Sequence, residues 1–164
     1  NFDLLVRYIA SFIHRHKEVK VVCTGKPFTR KELEMFKRYK VQEHFVHFWV
    51  SSDEEFFLLY HRAMCFVYPS EYEGFGIPIL EAYKADCPVL LNNASCFPEI
   101  AGDAAVYFDM TTRESDFVEK LEYIYSLSRE EREKLLGHQK DRLTLYSWER
   151  SAQQIADIYT GLSS

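Results

Sequence analysis

An α/β fold with a Rossmann-like, doubly wound parallel sheet is the architecture this sequence predicts, and three observations predict it. Short β-rich runs alternate with helical patterns along most of the chain. Several of those runs are continuously apolar, as strands are when helices cover both faces of a parallel sheet. Hydroxyl residues stand three places before a glutamate soon after a strand or turn, which is the spacing of a capping box at a helix start. A strand–helix series of this kind builds a doubly wound sheet.

The elements follow in order. The opening NFDLLVRYIASFI reads as an amphipathic helix with apolar Leu4, Leu5, Ile9 and Phe12. A natural protein rarely begins in mid-helix, so the chain is expected to be cut short on its N-terminal side. Strands are expected at VKVVCT near 19–24, FVHFWV near 45–50, MCFVYP near 64–69, PVLLN near 88–92 and AAVYF near 104–108. Thr29 with Glu32, Ser52 with Glu55, Thr111 with Glu114 and Ser128 with Glu131 mark helix starts. After Phe108 the β signals stop, and a helical tail follows in three stretches near 113–126, 129–145 and 148–162. Phe117, Leu121 and Ile124 form one apolar stripe of that tail; Ile155, Ile158 and Leu162 form another that needs a surface to lie on. No repeat or internal linker divides residues 1–164, which read as one domain.

Composition narrows the function. The chain is 47% hydrophobic with 13 Phe and 11 Tyr, enough for a core built on large rings. Its net charge of −5, with both signs interspersed, gives no footprint for nucleic acid and no basic face for an anionic membrane. The local run His14-Arg15-His16-Lys17 reads as a solvated helix end. Cys23, Cys65, Cys87 and Cys96 are widely spaced and mostly in apolar runs, which favours buried thiols in a reducing compartment over a disulfide scaffold. No apolar run approaches the roughly 20 residues of a membrane span.

The chemistry concentrates in residues 69–91, PSEYEGFGIPILEAYKADCPVLL. A buried strand ends at Pro69-Ser70, and a loop through Glu73, Gly74, Phe75 and Gly76 leads into a helix starting near Ile77. Pro78 suits a first helical turn, where its missing amide proton costs nothing. Gly74 and Gly76 let the backbone turn tightly and approach a ligand. The helix N-terminus offers free amides and a positive dipole end, suited to a phosphate. Glu73 on the loop and Glu81 one turn into the helix bracket that site, and carboxylates accept from the vicinal hydroxyls of a sugar or ribose. A sugar–diphosphate–ribose presents hydroxyls on both sides of its phosphates. Taken alone, a Gly-x-Gly turn into a helix is a weak signal, and Glu81 also reads as an ordinary surface residue.

The same run resembles the donor-site signature of the family 4 retaining glycosyltransferases of the GT-B fold. Their pattern is matched by Pro69-Ser70, Glu73-Gly74-Phe75-Gly76, Pro78, Leu80-Glu81-Ala82 and Pro88-Val89. Upstream, SSDEEFFLLYHRA is similar to the family's Ser-Asp-Glu-Glu-Leu segment; downstream, Pro98-Glu99-Ile100-Ala101-Gly102-Asp103-Ala104-Ala105 and Ser147-Trp148-Glu149 resemble its later landmarks. The resemblance implies one half of a two-domain enzyme. It implies that Glu73 contacts hydroxyls of the transferred sugar and Glu81 the ribose, with backbone amides of Phe75, Gly76 and Ile77 at the diphosphate and sugar. The base would rest near Trp49, Val50 and Ser51, and the Gly25-Lys26 turn would border the cleft. Lys26 admits two readings, a phosphate ligand or a solvated loop lysine.

Three departures from the family pattern stand out. The family's first strand of this domain, with an Arg and a Lys that clamp the diphosphate, would precede residue 1. Phe48-Trp49-Val50 stands where the family usually has Phe-Leu-Gly, in a loop one residue shorter, so base preference does not carry over. Asp86 stands where a Gly is common, a difference expected to reflect the helix C-cap.

The implied reaction is a metal-independent hexosyl transfer, mannosyl among the options, from a nucleoside diphosphate sugar with retention. It needs no cofactor beyond that substrate. Polysaccharide or glycolipid synthesis follows from the family, with an acceptor domain N-terminal to this one. A bacterial, cytoplasmic setting at the inner face of the membrane, with peripheral membrane association of the full-length protein, belongs to the same implication. Glu73 is a positioning group in this reading rather than a base. The alternatives are a non-catalytic nucleotide-sugar-binding module, or a phosphorylase or epimerase on the same fold. No His-Glu-x-x-His motif offers a zinc site, and His44 and His47 point to opposite faces of a strand and read as structural. Ser70 lacks a nucleophile elbow, and the glycine loop lacks the Lys-Ser/Thr ending of a P-loop.

Overall fold

The structure, a computed structural model, describes residues 1–110 and 114–162. Helix α1 (Phe2–Arg15) is followed by β1 (Val21–Thr24), α2 (Arg30–Tyr39), β2 (Phe45–Phe48), α3 (Asp53–Arg62) and β3 (Phe66–Tyr68). Then come α4 (Ile77–Lys84), β4 (Val89–Asn92), α5 (Phe97–Ala101), a 3-10 turn at Gly102–Ala104 and β5 (Val106–Phe108). Helices α6 (Glu114–Ser126), α7 (Arg129–Leu143) and α8 (Trp148–Leu162) close the chain. The five expected strands are all present and all pair in parallel, each shorter than its apolar run.

The sheet is not continuous by hydrogen bonding. β1 pairs with β2, and β3, β4 and β5 pair in that order, so β1 and β3 are both edges. Helix α1 bridges the two parts. Its buried Val6, Ile9, Phe12 and Ile13 join one core with Phe36, Phe45, Leu90, Phe108, Phe117 and Leu121, against which Val21, Cys23 and Val67 also pack. A second core on the opposite face of β3–β5 gathers Tyr60, Ile79, Tyr83, Cys87, Val89, Leu91, Phe97 and Ile100. β4 lies between both cores and is buried at every residue, which is why its sequence is apolar without alternation. β1 and β2 differ from that expectation. They alternate in burial, leaving Val22, Val46 and Phe48 exposed, because only one of their faces is covered.

The helix starts follow the spacing signals. Thr29 and Ser128 each form a full capping box with Glu32 and Glu131. Ser52 accepts from the Glu55 amide, but the Glu55 carboxylate reaches the amide and hydroxyl of Ser51 instead. The Thr111–Glu114 box lies outside the described residues. Asp86 has φ +54° and forms the left-handed step after α4. The Asp86 amide donates to Tyr83 O and the Cys87 amide to Ala82 O, the paired bonds of a Schellman cap.

The tail divides. Phe117, Leu121 and Ile124 are buried against α1, as their stripe predicts. Ile155 and Ile158 remain 55% and 61% exposed on α8, and the Leu162 side chain lies outside the described residues. The basic run at the end of α1 is solvated at His14, Arg15 and Lys17, as expected, but it is not idle. Arg15 and His16 both bind the Glu122 carboxylate on α6, at 2.8 and 2.9 Å, which ties the two helices together. Among the described residues no helix is long and apolar enough to cross a membrane.

Candidate functional site

Parallel strands place all their carboxyl ends on one edge of a sheet, and the loops leaving β3 and β4 lie side by side there. The register sets Tyr68 beside Leu91, so the loop Pro69–Gly76 meets the turn Asn93–Cys96 that leads into α5. That turn holds the loop by its backbone. Ser95 Oγ donates to Glu73 O at 3.0 Å and accepts from the Glu73 amide at 3.3 Å. Cys96 Sγ lies 3.3 Å from Glu73 O and 3.2 Å from Phe75 O. Asn92, buried at the end of β4, donates to Ser70 O and accepts from the Met110 amide. The Phe75 ring packs edge-on against Tyr146, whose hydroxyl reaches the carbonyls of Glu99 and Ile100. The loop is therefore fastened from β4, from the turn after it and from Tyr146.

Gly76 is the N-cap of α4 with φ +93°, a left-handed conformation that β-carbons disfavour. A Cβ there would also stand 3.0 Å from Ile79 Cδ1 and 3.3 Å from Phe97 Cε1. Gly74 differs from the expectation that both glycines serve the turn. Nothing lies within 4 Å of its would-be Cβ, so it leaves the approach to the loop open rather than shaping the backbone. Helix α4 has no side-chain cap and no acidic residue in its first turn. Helices α2, α3 and α7 have both. The dipole end of α4 is thus available to an anion, flanked by Glu73 before it and Glu81 one turn along.

The loops after β1 and β2 reach the same edge on the other part of the sheet. Thr24 is opposite Phe48, so Gly25 and Lys26 sit beside Trp49 and Val50. Gly25 has φ +98°, and its carbonyl is held by His47 Nε2 at 2.8 Å. Lys26 is exposed, Val50 is half-buried and the Trp49 indole is 70% exposed. The Ser51 amide and hydroxyl are both engaged by Glu55. Glu73, Gly74, Phe75, Gly76 and Ile77 follow one another through the loop into α4, with Glu81 one turn along it; Gly25 and Lys26 lie on the turn that His47 ties to β2, beside Val50. His44 Nδ1 bonds Val19 O at 2.8 Å, so both histidines are engaged with backbone carbonyls, as a structural role requires.

The family model described as "Glycosyl transferases group 1" matches residues 1–140. The O-antigen chain mannosyltransferase B of Escherichia coli is 51% identical over 57 residues, which are 35% of this chain and 15% of that protein. The MMP alpha-(1->4)-mannosyltransferase of Mycolicibacterium hassiacum is 31% identical over 111 residues, 66% of this chain and 27% of that protein. The chain thus spans well under a third of either curated relative. Among solved structures, the C-terminal domain of a glycosyl transferase group 1 family protein (LpcC) from Francisella tularensis superposes with a TM-score of 0.71 at 22% identity. That match covers 88% of this chain and 77% of that one, and at this identity it speaks for the fold.

Proposed function

Because the chain belongs to the glycosyl transferases group 1 family, we propose that it is the donor-binding half of a retaining GT-B glycosyltransferase. The donor is a nucleoside diphosphate sugar. The observation that carries this reading is the uncapped N-terminus of α4 at the carboxyl edge of the sheet, with Glu73 and Glu81 on either side of it. An anion at the helix end and hydroxyls at each carboxylate reproduce the order sugar, diphosphate, ribose. Backbone amides at Phe75, Gly76 and Ile77 stabilise charge developing on the leaving diphosphate. Glu73 orients the sugar, and the transfer needs no metal. The mannosyltransferases among the relatives favour a mannosyl donor within the hexosyl class, in polysaccharide or glycolipid synthesis.

The acceptor site belongs to a further N-terminal domain in this reading. The two sheet edges β1 and β3, bridged by α1, support completion of the sheet by a parallel strand from upstream chain. Asn1 Nδ2 bonds Pro69 O at 3.0 Å, which puts the start of α1 where such a strand would end. Cations on that strand would add charge-assisted bonds to the diphosphate, about 1.5–3 kcal/mol each. The setting proposed is the cytoplasmic face of a membrane, where lipid-linked acceptors are presented.

The test is turnover by the full-length protein with GDP-mannose, UDP-glucose and ADP-glucose. Transfer to an added acceptor that survives EDTA and falls at least a hundredfold in Glu73→Ala, about 2.7 kcal/mol, supports the reading. Near-wild-type turnover in Glu73→Ala removes the role given to that residue. Binding without donor hydrolysis or transfer favours the non-catalytic module instead.

A further inference from the structure

Phe75 stands between two glycines in the loop that enters α4, so the peptides on either side of it have little intrinsic restraint. Its carbonyl lies 3.2 Å from Cys96 Sγ, a weak donor. Its ring stands edge-on to Tyr146, with centroids 5.7 Å apart and planes at 87°. Tyr146 comes from the turn after α7 and is itself held. Its hydroxyl donates to the carbonyls of Glu99 and Ile100 at 3.3 and 3.2 Å, and accepts from Arg142 Nη2 at 3.3 Å. Arg142 Nε donates to Ile100 O at 2.9 Å, and Nη2 to Glu99 O. The guanidinium lies 3.4 Å from where a Cβ on Gly102 would stand. These carbonyls belong to α5, and the turn before α5 carries the Ser95 and Cys96 that hold the loop. Tyr146 thus closes a circuit from α7 through α5 to the loop and back through Phe75.

We propose that Tyr146 is a positioning residue of the donor site. Its ring, fixed by Arg142 and the last carbonyls of α5, holds Phe75 and so aims the amides of Phe75, Gly76 and Ile77 at the diphosphate. The proposal rests on the donor-site reading above. Backbone amides stabilise an anion best when they are already aimed at it. A loop that must be ordered by its ligand loses affinity by the entropy of that ordering. Phe75 carries the one side chain between Gly74 and Gly76, so a contact to its ring restrains the peptides that the glycines leave free. Edge-to-face ring pairs contribute beyond the area they bury, which suits Tyr146 to that task.

The full-length protein is titrated calorimetrically with GDP-mannose, UDP-glucose and ADP-glucose, and with GDP, UDP and ADP. The variants are Tyr146→Leu, Tyr146→Phe, Phe75→Leu and the double Phe75→Leu/Tyr146→Leu. Stoichiometry reads the fraction of folded sites, and Kd reads how well each site is aimed. Tyr146→Leu and Phe75→Leu are each expected to raise the Kd of nucleotide sugar and diphosphate about two- to tenfold at unchanged stoichiometry. Tyr146→Phe, which keeps the ring, is expected to recover most of that loss. The double variant is expected to be no weaker than the weaker single variant, because both remove one contact. A lower stoichiometry or urea midpoint in Tyr146→Leu with a wild-type Kd means a structural contact alone and overturns the proposal. Losses that add in the double variant overturn it as well. Phe75 is 40% exposed, so Phe75→Leu decides the matter where Tyr146→Leu does not fold: a wild-type Kd there overturns the proposal. A full-length wild type that binds none of the six ligands overturns the donor-site reading, and this proposal with it.

Discussion

At the scale of single residues, the site depends on what surrounds each group as much as on the group itself. Gly76 and Gly74 stand two positions apart in one loop, yet their environments differ. Gly76→Ala must hold a β-carbon at φ +93° against Ile79 and Phe97, and should cost about 1–3 kcal/mol of stability. Gly74→Ala meets open space and should stay within about 0.5 kcal/mol of wild type. Urea unfolding of both variants checks the contrast, and equal losses would contradict it. Glu73, Glu81 and the loop glycines were legible because the motif is contiguous. Ser95 and Cys96 were not. They reach the loop through strand register from 21 to 23 positions away, and nothing in their local sequence marks them. The nearest signal was the polar turn Asn92–Ser95 after a wholly apolar strand.

Elements were legible where local chemistry alone decides them. Capping boxes placed α2 and α7 because the bonds involved span only three residues. Strand ends were less so, since each apolar run continues past the last paired residue. The Asp86 departure was readable as a C-cap, and the geometry supplies the reason: the αL step of a Schellman motif accepts Asp at a cost. Asp86→Gly removes that cost and only an exposed ion pair to Lys140. It should stabilise the chain, by up to about 1 kcal/mol, seen as a higher urea midpoint with unchanged slope. A lower midpoint would mean that the Lys140 pair outweighs the backbone. The start of α4 is the converse case: α1 and α5 also lack a side-chain cap but carry Asp3 and Glu99 in their first turns, whereas α4 has neither cap nor acidic residue there.

Across the whole molecule, α1 is the piece that makes the two parts of the sheet one body, and α6 clasps it through Glu122. Burial pushes the Glu122 carboxyl up, but the bonds and charges of Arg15 and His16 outweigh this and lower it. A folded pKa below the unfolded one means the clasp stabilises fully above the ordinary carboxylate range and is lost as pH falls through it. Glu122→Gln should therefore unfold at lower urea than wild type near about pH 7, with the gap closing by about pH 3. A gap independent of pH would assign the effect to packing. The discontinuity between β1 and β3 was not legible in the apolar runs, because a strand's neighbours are set by topology and not by its own residues. The central claim is that this edge of the sheet binds a nucleoside diphosphate, and calorimetric titration of the chain, extended upstream through the next strand, with UDP, GDP and ADP tests it most directly. The account predicts selective binding of one diphosphate, weakened about tenfold or more in Glu81→Ala. No binding to any of the three, or binding indifferent to Glu81, would contradict it.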